Sequence, residues 1–197
     1  MKNLVIYKGM IRGNYCLVKT ISNFEIFKDL IGVFKNPPYN EILSDDDCFK
    51  EYESYVNNGY IFGCFINNQA AGINCILNDV PDDYSICFDD KRRIAYYSGL
   101  AVKDEFRRMG LGKLLVNETE KFLELNNDYD NSFARILCEG SMSEGIFRLN
   151  GFEDAYYNGS LIIDEVTYER NTGCIKSDRR KYMVKCIGNA TNNYYRR

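Results

Sequence analysis

The sequence predicts a single mixed α/β domain, and three observations support this prediction. The chain has 197 residues, a length typical of one domain, and 45% of them are hydrophobic, which is enough to build a core. Strand-like and helix-like segments alternate in the order β-α-α-β-β-β-α-β-α-β-β. No repeat and no long linker interrupts this order. We therefore expect one domain over residues 1–197, with its core at about 14–187 and a frayed tail at about 188–197.

The strands are predicted from runs of β-branched, aromatic and other apolar residues between turn residues. Two of these runs are separated by a short segment that contains Asn67-Asn68, which favours a hairpin. Residues 78–92 are polar and acidic and are predicted to form a loop. The predicted strands cover residues 15–21, 60–66, 71–77, 94–102, 133–138, 155–163 and 181–187.

The helices are predicted from apolar residues at helical spacing and from residues that cap helix ends. Ser22 or Asn23 can cap the first helix, and Pro37-Pro38 ends it. Ser44 can cap the second helix, whose first turn contains Asp45-Asp46-Asp47 beside the positive end of the helix dipole. We therefore interpret these aspartates as helix-stabilising residues and predict no metal site. The predicted helices cover residues 23–34, 44–58, 111–125 and 143–149.

The composition argues against several classes of function. The chain has no histidine, which excludes Ser-His-Asp triads, Cys-His dyads and histidine-ligated metals. The net charge of −3 and the isoelectric point of about 5.2 argue against a general nucleic-acid binder. No run approaches ~18 apolar residues, so no transmembrane helix is predicted, and we identify no signal peptide. The eight cysteines include no Cys-x-x-Cys pair, so we expect reduced thiols in a cytoplasmic protein.

A glycine-containing turn follows the predicted strand at 94–102 and precedes a strongly amphipathic helix. It reads Arg107-Arg108-Met109-Gly110-Leu111-Gly112-Lys113. Two glycines at this spacing let successive backbone amides at a helix N-terminus point at one pyrophosphate. The turn fits neither of two common phosphate-binding loops. A Walker loop would need glycine at Arg107 and a hydroxyl residue at Leu114, and a dinucleotide fingerprint would need glycine at Leu115.

The turn instead matches the pattern Gln/Arg-x-x-Gly-x-Gly/Ala through Arg107, Gly110 and Gly112. This pattern resembles motif A of the GNAT acetyltransferase superfamily, and the element order over about residues 14–187, including Gly151-Phe152, agrees with that family. The resemblance implies a GNAT-like α/β fold: a central, mostly antiparallel, twisted sheet with splayed central strands, flanked by about four helices. It also implies acetyl-CoA as the donor and a primary amine as the acceptor, without a metal.

The resemblance further implies which residues bind the donor. In the family, backbone amides of the turn hold the pyrophosphate, and backbone groups at the end of the preceding strand pair with pantetheine like an added strand. A bulge at Gly99 would splay this strand from the strand at 133–138. The implied donor-binding residues are Leu100, Ala101, Val102, Arg107, Arg108, Met109, Gly110, Leu111, Gly112 and Lys113.

The general acid departs from the family pattern. Members of the family often place a tyrosine, which protonates the departing thiolate, four residues before the Gly-Phe pair, and this position is Phe147 here. Tyr156 and Tyr157 are alternative acids, and so are Tyr96 and Tyr97. Because adjacent strand residues face opposite sides, at most one tyrosine of each pair can face the thioester.

The general base is also undefined. Glu41 and Glu139 are candidates that would act through a water molecule, although each fits equally well as a solvated surface carboxylate. Cys138 lies at the end of an apolar strand, without a histidine partner, and we expect an unreactive thiol.

Two functions therefore remain open. The first is direct transfer of acetyl from acetyl-CoA to a small-molecule or peptide amine, and the alternative is a catalytically degenerate acyl-CoA-binding sensor or regulatory module. Acidic pairs at 82–83, 89–90, 153–154 and 164–165 would steer a cationic amine, although acidic loops are also an ordinary solvated surface. We expect no nucleic-acid or membrane partner, and a monomer or a homodimer.

Overall fold

Strands and helices alternate along the computed structural model, which describes residues 3–35, 44–88, 92–126, 129–139, 141–169, 175–187 and 194–196. The α-helices of the described residues are α1 (Phe24–Ile31), α2 (Asp45–Asn58), α3 (Leu111–Asn126) and α4 (Met142–Leu149). The strands of the described residues are β1 (Val5–Ile11), β2 (Asn14–Thr20), β3 (Gly59–Ile66), β4 (Gln69–Leu77), β5 (Ile86–Phe88), β6 (Ile94–Val102), β7 (Asn131–Leu137), β8 (Glu153–Asp154), β9 (Tyr156–Tyr157), β10 (Ser160–Leu161), β11 (Ile163–Glu169), β12 (Ile175–Cys186) and β13 (Tyr194–Arg196).

Nine of these strands form one sheet in the order β1-β2-β3-β4-β6-β7-β12-β11, with β8 beside β12. The pairings in this sheet are antiparallel except that of β6 with β7, which is parallel. Two small sheets of two strands each pair β9 with β10 and β5 with β13. This architecture confirms the predicted mixed α/β fold, with a mostly antiparallel central sheet and four helices among the described residues.

The first and last strands do not follow from the sequence pattern. The seven residues of β1 are each exposed or half-buried, because this strand forms one edge of the sheet. β13 pairs with β5, which lies within the predicted loop at 78–92, and the ring of Tyr194 is 6.0 Å from that of Phe88. The expectation of a frayed tail is therefore wrong for Tyr194–Arg196, because cross-strand pairing and an aromatic contact hold these residues in place.

The strand predicted at 155–163 is divided by a turn. Asn158 and Gly159 have φ angles of 50° and 76°, the left-handed conformation that two-residue hairpin turns require. The turn joins β9 to β10, and the next strand, β11, continues to Glu169. β12 begins at Ile175, before its predicted start at residue 181, because its first half is polar and charged and gives no apolar signal.

The sheet separates two helical layers. Helix α3 packs on one face, where Leu115 belongs to a buried apolar cluster that also contains Phe62 of β3. The neighbouring strand residue, Ile61, belongs to a second cluster together with Phe27 of α1 and Tyr55 of α2. Because adjacent residues of a strand face opposite sides, α1 and α2 lie on the other face of the sheet.

Four charged side chains join α4 to the sheet. Lys181 Nζ lies 2.8 Å from Glu144 Oε1 and 3.0 Å from Asp154 Oδ1. Arg148 Nη2 lies 2.8 Å from the same oxygen of Glu144 and 2.6 Å from Asp154 Oδ2. Hydrogen bonds from Lys181 and Arg148 hold the pKa of Glu144 below its ordinary value. Burial alone would raise the pKa of Asp154, but hydrogen bonds from Arg148 and Lys181 outweigh it, and that pKa is also lowered.

Replacing Lys181 by methionine should destabilise the fold, because the substitution removes one of the two cations that contact Glu144 and Asp154. We expect the free energy of unfolding to fall by about 1–3 kcal/mol at pH 7. This is less than for a fully buried ion pair, because Glu144 is 29% exposed. Chemical denaturation measures the loss. The matched control is Lys50→Met, which removes an ion pair to Asp47 between side chains that are 74% and 56% exposed and should leave the free energy of unfolding nearly unchanged.

The same ion cluster predicts a pH dependence of stability. The pKa values of Glu144 and Asp154 are lower in the folded state than in the unfolded state, where carboxyl groups titrate near pH ~4. Their stabilising contribution is therefore present above about pH 4 and is lost as the pH falls through the folded pKa values. The wild type should lose stability from about pH 5 to about pH 2, and Lys181→Met should lose less. Curves of stability against pH that run parallel for the wild type and Lys181→Met would contradict this role of the ion cluster.

Candidate active site

A tight turn connects β6 to the N-terminus of α3. Arg108 and Gly110 have positive φ angles of 62° and 87°, and Leu114 N donates to Gly110 O at 3.0 Å as the helix begins. The backbone amides of the first helical turn, including those of Gly112 and Lys113, have no carbonyl partner earlier in the helix. These amides and the positive end of the helix dipole together make an anion-binding geometry.

The two glycines of the turn are required for different reasons. Gly110 has a left-handed backbone, and a Cβ built there would meet no described atom within 4 Å, so the space in front of it is open. Gly112 faces α4, and a Cβ there would lie 2.8 Å from Ile146 Cδ1. The first glycine is therefore a conformational requirement, and the second allows α3 and α4 to pack closely.

The cationic side chains of the turn are not equivalent. Arg107 is held locally, with its Nη2 atom 2.8 Å from Asp104 Oδ1 and its Nε donating to Val102 O at 3.4 Å. Arg108 and Lys113 are exposed beside the helix N-terminus. The contact with Val102 also shows that the structure brings the turn against the end of β6, so the two groups of predicted donor-binding residues are adjacent.

β6 diverges from β7 beside this turn. The two strands pair only from Ile94 to Tyr97 on β6, and the last pair is Tyr97 with Ala134. Pairing of β6 with β4 continues to Val102, with a register shift between the Tyr97 and Gly99 pairs that inserts one extra residue. The predicted bulge at Gly99 and the predicted splaying of the central strands are therefore confirmed.

A buried carboxylate lies behind the point of divergence. Glu120 of α3 is 3% exposed, and its Oε1 atom accepts hydrogen bonds from Tyr97 Oη at 2.7 Å and from Ser132 Oγ at 2.6 Å. Its Oε2 atom lies 2.7 Å from Lys185 Nζ. Burial and the charge of Glu120 raise the pKa of Tyr97, so this tyrosine stays protonated and donates. Glu120 therefore ties α3 to β6, β7 and β12.

The opposite face of β6 carries polar side chains that the sequence pattern did not reveal. Ser98 Oγ, at the bulge, donates to the hydroxyl of Tyr55 of α2 at 2.9 Å. The hydroxyls of Tyr84 and Tyr96 lie 2.6 Å apart. Burial raises the pKa of both Tyr55 and Tyr96, so both remain neutral phenols.

A buried ion pair lies on this same face. Arg135 of β7 and Asp164 of β11 are 9% and 7% exposed, with Arg135 Nη2 at 3.1 Å from Asp164 Oδ2. Arg135 interrupts the apolar run from Phe133 to Leu137, and a charge within such a run is the sequence signal that identifies it. Asp164 is a charged core residue here, although its sequence neighbourhood predicts an acidic surface loop.

The structure separates the predicted catalytic residues. Tyr156 and Tyr157 are 53% and 41% exposed and lie in the β9–β10 hairpin, outside the sheet that contains β6. Glu139 is exposed beyond the end of β7, on the side where β6 and β7 diverge. Glu41 and Pro37-Pro38 lie outside the described residues.

Phe147 occupies the position where the family often has a tyrosine. Its ring is 3% exposed, and its centroid is 5.3 Å from that of Tyr97 and 5.0 Å from that of Phe152. Cys138 is half-buried at the end of β7, and burial raises the pKa of its thiol, which disfavours the nucleophilic thiolate.

A groove of about 550 Å³ lies at the other end of β6, between Ser54 and Asn58 of α2 and the loop that contains Asp79 and Asp82. It also contacts Ile94, far along the strand from the glycine turn, so we do not assign it to the donor. Within the described ranges, no group of three or more cysteine and acidic side chains could hold a metal ion. No described helix has both the length and the apolar character needed to cross a membrane.

Three solved structures of acetyltransferases share this fold. The ribosomal-protein-S18-alanine N-acetyltransferase from Escherichia coli is 15% identical with a TM-score of 0.61, and the match covers 90% of this chain and 97% of that chain. A GNAT-family acetyltransferase from Streptococcus pneumoniae is 15% identical with a TM-score of 0.64, over 88% and 99%. RimL, a ribosomal L7/L12 alpha-N-protein acetyltransferase solved with coenzyme A, is 11% identical with a TM-score of 0.62, over 93% and 98%.

Sequence comparison gives the family. A curated protein of Acanthamoeba polyphaga mimivirus, "Putative glycylpeptide N-tetradecanoyltransferase", is 26% identical over 105 residues, which are 52% of this chain and 28% of that protein. The chain thus spans only about a quarter of the length of this relative. The model of the Acetyltransferase (GNAT) family matches residues 24–135, more than half of the chain and the whole of the glycine turn and β6. The chain therefore belongs to the GNAT acetyltransferase family.

Proposed function

We propose that the protein transfers an acetyl group from acetyl-CoA directly to a primary amine, with both substrates bound together. The observation that carries this proposal is the divergence of β6 from β7 next to the glycine turn. An opening between two strands, beside a helix N-terminus, suits a long donor with a pyrophosphate at one end and a thioester at the other. We include cytoplasmic location and a monomeric or homodimeric state in the proposal.

The donor would bind through backbone groups in two segments. The amides from Arg107 to Lys113 would hold the pyrophosphate, helped by the exposed charges of Arg108 and Lys113. Leu100–Val102 would pair with the pantetheine as an added strand, since β7 leaves β6 before these residues. The open space in front of Gly110 supports this placement, because a bulky anion needs access to the amides.

The chemistry is an acyl transfer that needs no covalent enzyme intermediate. The neutral amine attacks the thioester carbonyl carbon, a carbon–nitrogen bond forms, the carbon–sulfur bond breaks, and coenzyme A leaves as a thiolate. The ammonium form must first lose a proton, to water or to a carboxylate, and Glu139 is our candidate beyond the end of β7. The hydroxyl of Tyr97 donates to Glu120, so we do not propose that tyrosine as the acid.

One observation favours a second function, acyl-CoA binding without turnover. Phe147 has no hydroxyl to protonate the thiolate, and Tyr156 and Tyr157 lie in an exposed hairpin. However, a thiol with an ordinary pKa of about 8.5 can leave without full protonation. Release of free coenzyme A over a panel of amines separates the two functions, and tetradecanoyl-CoA, the acyl group in the name of the mimivirus relative, should be included as an alternative donor.

Substituting Gly110 by glutamate should abolish acetyl-CoA binding. The change places a negative charge in the open space before the helix N-terminus, where the pyrophosphate is proposed to bind. Gly110→Gln is the matched control, because it has the same size and the same left-handed backbone strain without the charge. Calorimetry should show glutamate weakening binding at least about tenfold more than glutamine does. Equal affinities for the two variants, or no binding by the wild type, would contradict the proposed donor site.

No acetyl-enzyme should accumulate with acetyl-CoA alone. The chain has no histidine to activate a nucleophile, and burial raises the pKa of the Cys138 thiol. Intact-mass spectrometry should therefore show the unmodified protein. A stable acetyl adduct that is lost in Cys138→Ala together with activity would instead require a ping-pong mechanism.

Phe147→Tyr should restore a general acid and raise turnover, most clearly below about pH 8.5, where an unassisted thiolate is a poorer product than the protonated thiol. We expect a stability loss below about 1.5 kcal/mol, because the ring keeps its packing between Tyr97 and Phe152. Phe152→Tyr is the control, since it adds the same oxygen to the neighbouring buried ring. A pH–rate profile in which both variants match the wild type would mean that thiolate protonation does not limit turnover.

A further inference from the structure

A charged cluster borders the opening between β6 and β7 on the α2 side of the sheet. Tyr97 and Ala134 are the last paired residues and face the α3 side, so the next residues, Ser98 and Arg135, face the other side. Their contacts agree with this: Ser98 donates to a tyrosine of α2, and Arg135 Cζ lies 4.1 Å from the ring centre of Tyr84. An acceptor that approaches the bulge from this side therefore approaches the face of the sheet that carries Arg135.

Three side chains contact Arg135 within the cluster. Its guanidinium lies 4.1 Å from the ring centre of Tyr84 and 6.0 Å from that of Tyr182, within reach of cation–π attraction. Asp164 Oδ2 lies 3.1 Å from its Nη2 atom, and both side chains are more than nine-tenths buried. The Nε of Arg135 is also buried and makes no hydrogen bond among the described residues.

Arg180 adds a second guanidinium to this cluster. It lies opposite Asp164 in the pairing of β11 with β12, and it is two residues from Tyr182, so it shares that face of the sheet. Within the described part of the chain, Arg180 makes no ion pair, and its buried Nε has no hydrogen-bond partner. Burial raises the pKa of the Tyr96 hydroxyl, and the positive charges of Arg135 and Arg180 act in the opposite direction and lower it.

Two guanidinium groups therefore lie near Asp164, and among the described residues only that of Arg135 is ion-paired with it. Keeping an unmatched charge partly buried is unfavourable unless an anion compensates it. Arg180 and Tyr84 are each half-buried, so part of each side chain is accessible to solvent. A guanidinium fork and neighbouring phenol hydroxyls are the donors that bind a carboxylate in two-point contact.

We propose that the acceptor is a primary amine that also carries a carboxylate, and that Arg180, beside the Arg135–Asp164 pair and the Tyr84 and Tyr96 hydroxyls, binds this carboxylate while the amine lies at Ser98. The inference rests on the proposed acetyl transfer and names its substrate class. It differs from the expectation, drawn from acidic pairs in the sequence, that negative charge selects a cationic acceptor. The acids Asp154 and Asp164 of those pairs are engaged in ion pairs.

The test compares ω-amino carboxylates of two to six carbons with the corresponding carboxamides, which differ in charge and hardly in shape. Free coenzyme A release gives kcat/KM for each acceptor. At one chain length the wild type should prefer the acid by about 10- to 100-fold, the range expected for hydrogen bonds to a charged group. Arg180→Gln should reduce this ratio to near one, chiefly by raising KM for the acid, and Arg180→Lys should give an intermediate ratio.

The matched control is Arg179→Gln, because Arg179 is the exposed neighbour whose side chain leaves β12 on the opposite face. It should keep the wild-type ratio. Thermal unfolding of each variant checks that it is folded. A wild-type ratio near one, or an Arg180→Gln ratio equal to that of the wild type, would overturn the inference while leaving acetyl transfer intact.

Failure of the proposed function gives a different result. If neither acids nor amides release coenzyme A, acetyl transfer to amines is contradicted, and calorimetry with the protein–coenzyme A complex then decides the anion site by itself. Binding of the acid but not the amide, lost in Arg180→Gln and kept in Arg179→Gln, would support the site. Equal binding of acid and amide, or no binding of either, would overturn it.

Discussion

The early end of pairing between β6 and β7 is the constraint on which the candidate site depends. A regular sheet satisfies the backbone groups of its inner strands internally, and it has no place for an inserted ligand. Here the bulge before Gly99 turns the end of β6 away from β7 while β4 keeps it in the sheet. A donor that pairs with the end of β6 would then complete the sheet, and it would be bound mainly through backbone groups.

The opening is fixed from behind by polar contacts in the core. Glu120 contacts Tyr97 on β6, Ser132 on β7 and Lys185 on β12, so one carboxylate sets the relative positions of three strands. Burial of a carboxylate is costly, and three donors together compensate for it. Because Glu120 belongs to α3, the helix that begins at the glycine turn is anchored to the strands that diverge. The distance between the proposed pyrophosphate site and the proposed thioester site is thereby fixed.

Charge is distributed by the fold in a way that the linear sequence does not show. Lys181 and Arg180 are adjacent in β12, yet they face opposite sides of the sheet. Lys181 joins α4 to the sheet through Glu144 and Asp154, whereas Arg180 lies in the cluster that borders the opening. Neighbouring basic residues thus have unrelated roles, one in stability and one in the proposed recognition of the acceptor.

The sequence by itself determined the α/β fold, the glycine turn, the bulge at Gly99 and the loss of the hydroxyl at Phe147, because each depends on local spacing or on a single residue type. It missed β5 and β13, whose short pairing joins residues far apart in the chain, and it did not identify Asn158-Gly159 as a hairpin turn. Only the tertiary structure decided that Tyr156 and Tyr157 are exposed, and that Arg135 and Asp164 form a buried pair. Which side chains meet across a sheet depends on strand order and register, and no local pattern of residues specifies these.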